Sequence, residues 1–374
     1  MDSLLSAMLA EAGRSALARG VTMRIAMVGS GAVGGYVGGR LTQAGHDVVL
    51  IDAWPEHVEA MKRHGLRLSD PLGSTVVPVK ALHVHEVQSL ATWPVDIAMV
   101  STKSYDTIWA SAMIAQYLAP DGYVLSVQNG LNEERIAGVV GWERTVGCIA
   151  STISVEMHRP GVINRVRTPG GESYTVFRVG EVHGRTTPRA RAAVEVLSSV
   201  DSAKVTNNLW GERWAKLTTN SMHHGILGAT GMSDHDLMRN KATRRLAIRC
   251  AGEAIAVAEA LGHDVEAILR MSPALWRAAA SGDRSALAQV ETGWVKWMER
   301  SKQPHPGSVG HDLAKGRRTE IDYVCGYVAA KGAEIGVPAP TQAALTALVK
   351  RVERGEIERQ LKNIEPLLAG VNLD

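Results

Sequence analysis

The chain has 374 residues, a length that suggests two domains, and its 41 Lys plus Arg against 38 Asp plus Glu give a formal charge of +3. A balance this close to neutral excludes a protein that works by neutralising many nucleic-acid phosphates, and no apolar run approaches the roughly 18 residues needed to span a membrane. With 45% hydrophobic residues there is ample material for a core, while three widely separated cysteines, Cys148, Cys250 and Cys325, spell neither a disulfide framework nor a Cys-based zinc site and fit a reducing cytoplasm.

One count is unusual: nine Trp against a single Phe. At the N-terminus, Leu4, Leu5, Met8, Leu9, Ala16 and Leu17 could stripe one helix face, but Asp2 and Glu11 interrupt them and no basic stretch precedes, so a secretory signal fits poorly. Residues 1–22 are expected to be a poorly ordered extension that ends where Met23 opens the first strand.

Arg24 to Val28 reads as a short buried strand, followed at once by Gly29-Ser30-Gly31-Ala32-Val33-Gly34 and then by Tyr36, Val37, Leu41 and Ala44 at helical spacing, with Gly45 as the helix stop. Val48 to Ile51 is the next strand, and it ends in Asp52. Glycines alone are weak evidence. Set between a strand and a helix, with an acidic residue about 20 positions further on, they mark a dinucleotide-binding unit. Gly29 permits the tight turn, Gly31 lets a pyrophosphate approach the backbone, and Gly34 lets the helix pack close; the helix N-terminus offers N–H groups and partial positive charge. A carboxylate at Asp52 can accept both ribose hydroxyls and would repel a 2′-phosphate, which favours NAD(H) unless Lys62, Arg63 or Arg67 supplies a phosphate contact.

Asp96 to Val100 and Tyr123 to Val127 read as two further buried strands, each opening into a polar cluster: Ser101-Thr102-Lys103-Ser104 and Gln128-Asn129-Gly130. Ligands bind at the carboxyl ends of strands in open α/β sheets, which makes Lys103 and Asn129 site candidates; the bland alternatives are a solvated lysine and an Asn-Gly turn. Gly147–Val155 and Gly161–Gly180 are expected to extend the sheet antiparallel, Thr186–Leu197 to be helical, and Val205–Asn208 to be a last short strand.

From Leu209 onward the pattern is helical, for example over Leu246–Leu261, Glu320–Ile335 and Gln342–Arg354. The fold class is therefore α/β: a Rossmann-type dinucleotide-binding domain over 23–207, then an all-helical domain over 208–374 that serves substrate binding or dimerisation. On the first helix, Lys216, Asn220 and His224 are spaced i, i+4, i+8 and fall within about 80° on one face. Ser308, Asp312 and Glu320 follow around a loop-to-helix region, with Thr319 as a plausible cap.

These residues carry a resemblance. Gly29-Ser30-Gly31-Ala32-Val33-Gly34, Lys103, Gln128-Asn129-Gly130, Lys216-x-x-x-Asn220, Ser308-x-x-x-Asp312 and Arg318-Thr319-Glu320-Ile321-Asp322 together resemble the ketopantoate reductase (2-dehydropantoate 2-reductase) family, from Met23 to about Arg354. The resemblance implies NADP(H)-dependent reduction of a 2-keto acid, ketopantoate first among them, to a 2-hydroxy acid. By it, Lys216 would be the general acid and Glu320 would bond the substrate hydroxyl and help place Lys216. Asn129, Asn220, His224 and Ser308 would hold the substrate, and Lys103 and Asn129 would face the cofactor.

Two features depart from that pattern. His224 stands where the family commonly has a second Asn, and Ala267–Pro306 is longer than usual, carrying Trp276, Trp294 and Trp297 either as a hairpin packed on its own tryptophans or as an apolar lid. They leave open a different 2-keto acid; another two-domain dehydrogenase acting on a 3-hydroxyacid or polyol should lack the Lys216/Asn220 with Ser308/Glu320 combination, and a cofactor-binding sensor has no need to keep both Lys216 and Glu320. His83-x-His85-Glu86 lacks a partner cluster, so no metal is expected. The implied partner is a small keto acid, with no nucleic acid and no membrane; a homodimer through the helical half is one option for assembly.

Overall fold

The computed structural model describes residues 23–298 and 304–369 except position 172, so the N-terminal extension expected over 1–22 lies outside the described residues. They form two compact units, one ending at Leu209 and one beginning at Trp210.

The first unit is built on twelve strands: β1 (Arg24–Val28), β2 (Asp47–Asp52), β3 (Leu66–Asp70), β4 (Gly73–Val77), β5 (Lys80–His83), β6 (Val95–Val100), β7 (Leu118–Ser126), β8 (Thr145–Ala150), β9 (Val155–Arg159), β10 (Val162–Arg165), β11 (Phe177–Glu181) and β12 (Ala203–Val205). Eight of them make one sheet in the order β12-β11-β8-β7-β6-β1-β2-β5. It is parallel from β8 to β5, β11 runs antiparallel to β8, and β12 runs parallel to β11. The chain leaves β1 to pair β2 on one side and returns to pair β6 on the other, so the order reverses between β1 and β6. A crevice opens beyond the carboxyl ends of strands at such a switch point.

Of the stretch 161–180 expected to extend this sheet antiparallel, β11 does so, but β10, with β9 before it, does not. They form a second sheet with the hairpin β3–β4, in the order β4-β3-β10-β9, because β10 pairs in parallel with β3 (Ile163 opposite Leu68). Between the two sheets lies α1 (Ala32–Gln43). Its glycines explain how it fits. A Cβ on Gly38 would sit 3.3 Å from Leu50 and 3.4 Å from Met27 of the main sheet, whereas a Cβ on Gly35 or Gly39 would collide with Ile163 (2.5 Å) or Leu66 (2.8 Å) of the second. Side chains on either face would hold the layers apart. The helices α2 (Pro55–His64), α3 (Thr107–Ala115), α4 (Glu133–Val140) and α5 (Pro188–Ser198) complete the unit.

The second unit is all helical: α6 (Leu209–Thr230, its first residue at the junction), α7 (Asp234–Arg239), α8 (Lys241–Ala260), α9 (Pro273–Ala280), α10 (Arg284–Met298), α11 (Gly307–Ala314), α12 (Cys325–Ile335) and α13 (Pro340–Glu353), with a short last helix at Glu365–Leu368. On α6, Gly225 admits Leu345 and Cys325, and Gly228 admits Val309 and Val349, each within 3 Å of where a Cβ would stand. The helix expected over 320–335 begins only at Cys325, preceded by a 3-10 turn at Ile321–Tyr323: the Thr319 hydroxyl takes the Ile321 N–H at 3.2 Å and so competes with the helical ladder. Among the described residues no helix is long and apolar enough to cross a membrane.

Three of the nine tryptophans belong to the core. Trp214, Trp276 and Trp294 are fully buried. Trp276 and Trp294 meet edge to face at 5.6 Å across the α9–α10 hairpin, and the Trp276 indole N–H donates to the Ile268 carbonyl at 3.1 Å. For these two residues the self-packed hairpin is the observed arrangement; Trp297 is half-buried. Trp294→Ala is expected to cost about 3–5 kcal/mol. Trp109→Ala, at a side chain 45% exposed, should change stability by less than about 0.5 kcal/mol. Urea unfolding of both variants checks the contrast.

Candidate active site

The Gly-rich turn follows from β1 ending in the middle of a parallel sheet. The Gly29 N–H donates to the Ile51 carbonyl at 2.9 Å and keeps the turn in the sheet's plane. Gly29 has φ +90°, and a Cβ there would lie 2.7 Å from Thr102 N; a Cβ on Gly34 would lie 2.0 Å from the Gly29 carbonyl oxygen. Both positions therefore need glycine for the fold alone. Gly31 is different: a Cβ there would meet nothing within 4 Å. Nor does any side chain cap the start of α1, and its first turn holds no acidic residue. A helix start with uncapped N–H groups, beside a glycine whose missing side chain faces open space, fits a dinucleotide pyrophosphate.

The turn is anchored through Ser30, which is buried. Its N–H donates to Asp52 Oδ2 at 2.7 Å, its hydroxyl to the Ile51 carbonyl at 3.3 Å, and its carbonyl accepts from His57 Nε2 at 2.8 Å. The other Asp52 oxygen accepts from the Trp54 N–H at 2.9 Å. A carboxylate oxygen has two lone pairs, so a half-buried Asp52 held in this way keeps acceptor capacity toward solvent. Of the cations that sequence offered for a 2′-phosphate, Lys62 pairs with Glu86 at 2.6 Å and Arg63 with Glu59 at 3.1 Å; Arg67 is exposed on β3.

Beyond β6 and β7 the polar loops interlock. Gln128 Nε2 donates to the Thr102 carbonyl and to Thr107 Oγ1, both at 2.9 Å. The Asn129 carbonyl accepts from Asn132 Nδ2 at 2.8 Å and from Ser104 Oγ at 3.2 Å. Gly130 has φ +78°, so the Asn-Gly turn is real, and it leaves the Asn129 side chain exposed at the carboxyl end of β7. Lys103 is half-buried in the loop after β6. Sequence reading singled out neither Gln128 as the support of these loops nor His57 as a support of the Gly-rich turn; their partners are distant in sequence.

In the helical unit, Lys216 and His224 are half-buried on α6, and Asn220 between them is 7% exposed. Ser308 lies near the start of α11, and its Oγ is 3.3 Å from His224 Nδ1. Gly307 makes that approach possible: it has φ +72°, and a Cβ there would stand 3.1 Å from the His224 ring. Glu320 is buried at 5% exposure just before α12. Cys325 Sγ reaches the Ser221 carbonyl at 3.4 Å and Tyr327 packs on Trp214 at 5.9 Å, which lays the 320–327 segment along the part of α6 that carries Lys216 and Asn220. The far end of α6 is capped from beyond α13, where Arg359 donates to the carbonyls of Leu227 (3.0 Å) and Gly228 (3.2 Å). The His83–Glu86 fragment is used locally, with His83 on Glu59 and Glu86 on Lys62.

A family model described as ketopantoate reductase PanE/ApbA matches residues 25–175, and its C-terminal counterpart matches 208–353. The chain belongs to the ketopantoate reductase family. It is 27% identical to the 2-dehydropantoate 2-reductase of Archaeoglobus fulgidus, covering 89% of this chain and 98% of that one, and 28% identical to that of Mesorhizobium japonicum, covering 89% and 99%. Among solved structures, a PanE/ApbA family ketopantoate reductase from Ralstonia eutropha JMP134 superposes with a TM-score of 0.72 at 26% identity, covering 89% of this chain and 99% of that one. D-mandelate dehydrogenase, solved with NADH and anilino(oxo)acetate, has the same fold, with a TM-score of 0.74 at 23% identity and coverage of 89% and 99%. As a member of the ketopantoate reductase family the chain is an oxidoreductase, and its cofactor is a pyridine nucleotide.

His223, next to His224, turns into the core. Its Nδ1–H donates to the Thr219 carbonyl at 2.8 Å, and its ring meets Trp294 edge to face at 5.2 Å. Burial pushes its pKa below the ordinary 6.5, outweighing the Thr219 hydrogen bond and the Asp234 charge. The unfolded imidazole then takes up a proton at higher pH than the folded one, so stability falls as pH drops below about 6.5 toward the depressed value. A nitrogen-15 NMR titration should find His223 still mostly neutral at pH 6.5; half-protonation at or above that pH would contradict the burial argument.

Proposed function

We propose that the chain reduces a 2-keto acid to a 2-hydroxy acid, with NADH as the preferred cofactor and Lys216 as the general acid. The observation that carries the reading is the row Lys216–Asn220–His224 on one face of α6, with Ser308 hydrogen-bonded to its far end and the buried Glu320 on the adjoining segment. Hydride addition to a carbonyl carbon creates negative charge on its oxygen, so the reaction needs a cation and a proton at that atom. The bound nicotinamide supplies the hydride. Lys216 donates a proton from Nζ to the oxygen as the new C–H bond forms, Glu320 accepts the hydroxyl hydrogen bond and orients Lys216, and Asn220, Ser308 and His224 hold the acid's polar groups. In the other unit, Gly29 to Gly34 hold the pyrophosphate, Asp52 the ribose hydroxyls, and Lys103 and Asn129 lie toward the nicotinamide side. Lys216→Ala should lower kcat by about 10²–10⁴ with the Kd for NADH within threefold. A loss of less than tenfold in stopped-flow turnover would remove Lys216 from this role.

The preference for NADH follows from Asp52, whose charge a 2′-phosphate would meet, and from the ion pairs that occupy Lys62 and Arg63. The wild type should show kcat/KM at least about tenfold higher with NADH than with NADPH, and Asp52→Asn should narrow that ratio. A wild type that favours NADPH would contradict the assignment.

Ketopantoate is the first substrate to test, since the Archaeoglobus fulgidus and Mesorhizobium japonicum relatives are 2-dehydropantoate 2-reductases. A second reading, a different 2-keto acid such as an aryl one, is favoured by the His224–Ser308 pair and by the likeness to D-mandelate dehydrogenase. An imidazole can donate, accept or carry charge, and so suits acids that an amide would not. Initial rates with ketopantoate and phenylglyoxylate separate the two.

A further inference from the structure

The second sheet and α2 take no part in the chemistry proposed above, yet one buried side chain ties both to the Gly-rich turn. His57, on α2, has no exposed surface. The Gly161 N–H, from the turn between β9 and β10, donates to His57 Nδ1 at 2.9 Å. That bond fixes the tautomer: Nδ1 carries the lone pair, so the proton is on Nε2, and Nε2–H donates to the Ser30 carbonyl at 2.8 Å. Trp54 stacks on the ring at 5.8 Å and holds its plane. The imidazole is thus a relay between Gly161, 104 residues away, and Ser30, 27 residues away.

Ser30 is the residue whose peptide orientation decides where the following N–H groups point. Asp52 holds its N–H and His57 its C=O, so the two pin the peptide groups on either side of the residue. A Cβ on Gly35 would lie 2.6 Å from the same Ser30 oxygen and 2.5 Å from Ile163 of β10, so the second sheet closes tightly on this corner of the turn.

We infer that His57 is a positioning residue for the cofactor: it locks the Ser30 carbonyl inward and thereby preorganises the backbone of the Gly29–Gly34 turn for a pyrophosphate, with the β9–β10 turn as its anchor. The inference rests on the reading of that turn as the pyrophosphate site. Without His57 the Ser30 carbonyl loses its buried donor, the peptide is released to rotate, and the ordering cost moves to the moment of binding.

The test uses the full chain and four probes: NADH, NADPH, ADP-ribose, which carries the pyrophosphate, and adenosine, which does not. His57→Phe keeps a flat ring against Trp54 but neither donates nor accepts; His57→Gln restores one donor and one acceptor. His57→Phe should raise the Kd of NADH and of ADP-ribose about tenfold, leave that of adenosine within twofold, and be largely rescued in His57→Gln. An unchanged Kd for NADH in a cooperatively melting His57→Phe overturns the inference and leaves the cofactor reading standing. An equal loss for adenosine also overturns it, since damage would then extend to the whole pocket. A wild type that binds neither NADH nor NADPH overturns the cofactor reading and the inference together. Should His57→Phe not fold, His57→Asn, which keeps an amide on the Gly161 side only, takes its place under the same outcomes.

Discussion

The nucleotide unit depends on one constraint: a run of backbone N–H groups must be held in place without being used up by the protein. A helix start is usually satisfied by a Ser, Thr, Asp or Asn side chain. At α1 the capping position is Gly31, and no side chain takes that role. The polar groups just before it are saturated instead, with Ser30 bonded through its N–H, its hydroxyl and its carbonyl. Anchoring Ser30 on three sides lets the next few peptides stay rigid while their donors remain available to an anion. The glycines of α1 serve the same end, because the helix can be gripped between two sheets only if both faces are bare.

The helical unit divides its work along α6. One side carries Gly225 and Gly228 and is pressed against α11, α12 and α13, where a methyl group would already collide. Lys216, Asn220 and His224 lie on the i, i+4 row that ends in Gly228. The close packing at these glycines fixes the helix, and Arg359 closes its last carbonyls with a charge of the sign that the helix dipole favours. The α9–α10 hairpin adds mass behind His223 through Trp294.

What was legible in the sequence was local. β1, its glycines and Asp52 can be read because strand, turn, helix and strand follow one another directly, and the row on α6 because helical spacing places i, i+4 and i+8 together. The second sheet was not legible. It needs β3 to pair with β10, nearly a hundred residues later (Leu68 opposite Ile163), and nothing in either segment's period names its partner. His57 was hidden for the same reason, since a histidine in a short amphipathic helix reads as surface until Gly161 arrives from the other sheet. The tryptophans were visible as a surplus but not as a role: core and lid use the same residue types, and only the fully enclosed Trp276 and Trp294 rings distinguish them.

Asp52 steadies the turn through Ser30 and Trp54, and under the proposed function the same side chain would also hold a ribose. A lineage seeking the phosphorylated cofactor cannot simply delete that charge, because the first step would loosen the turn before any new cation had improved binding. Stability of the turn and choice of cofactor would then be chained together in one carboxylate, and a change in the second would first have to preserve the first.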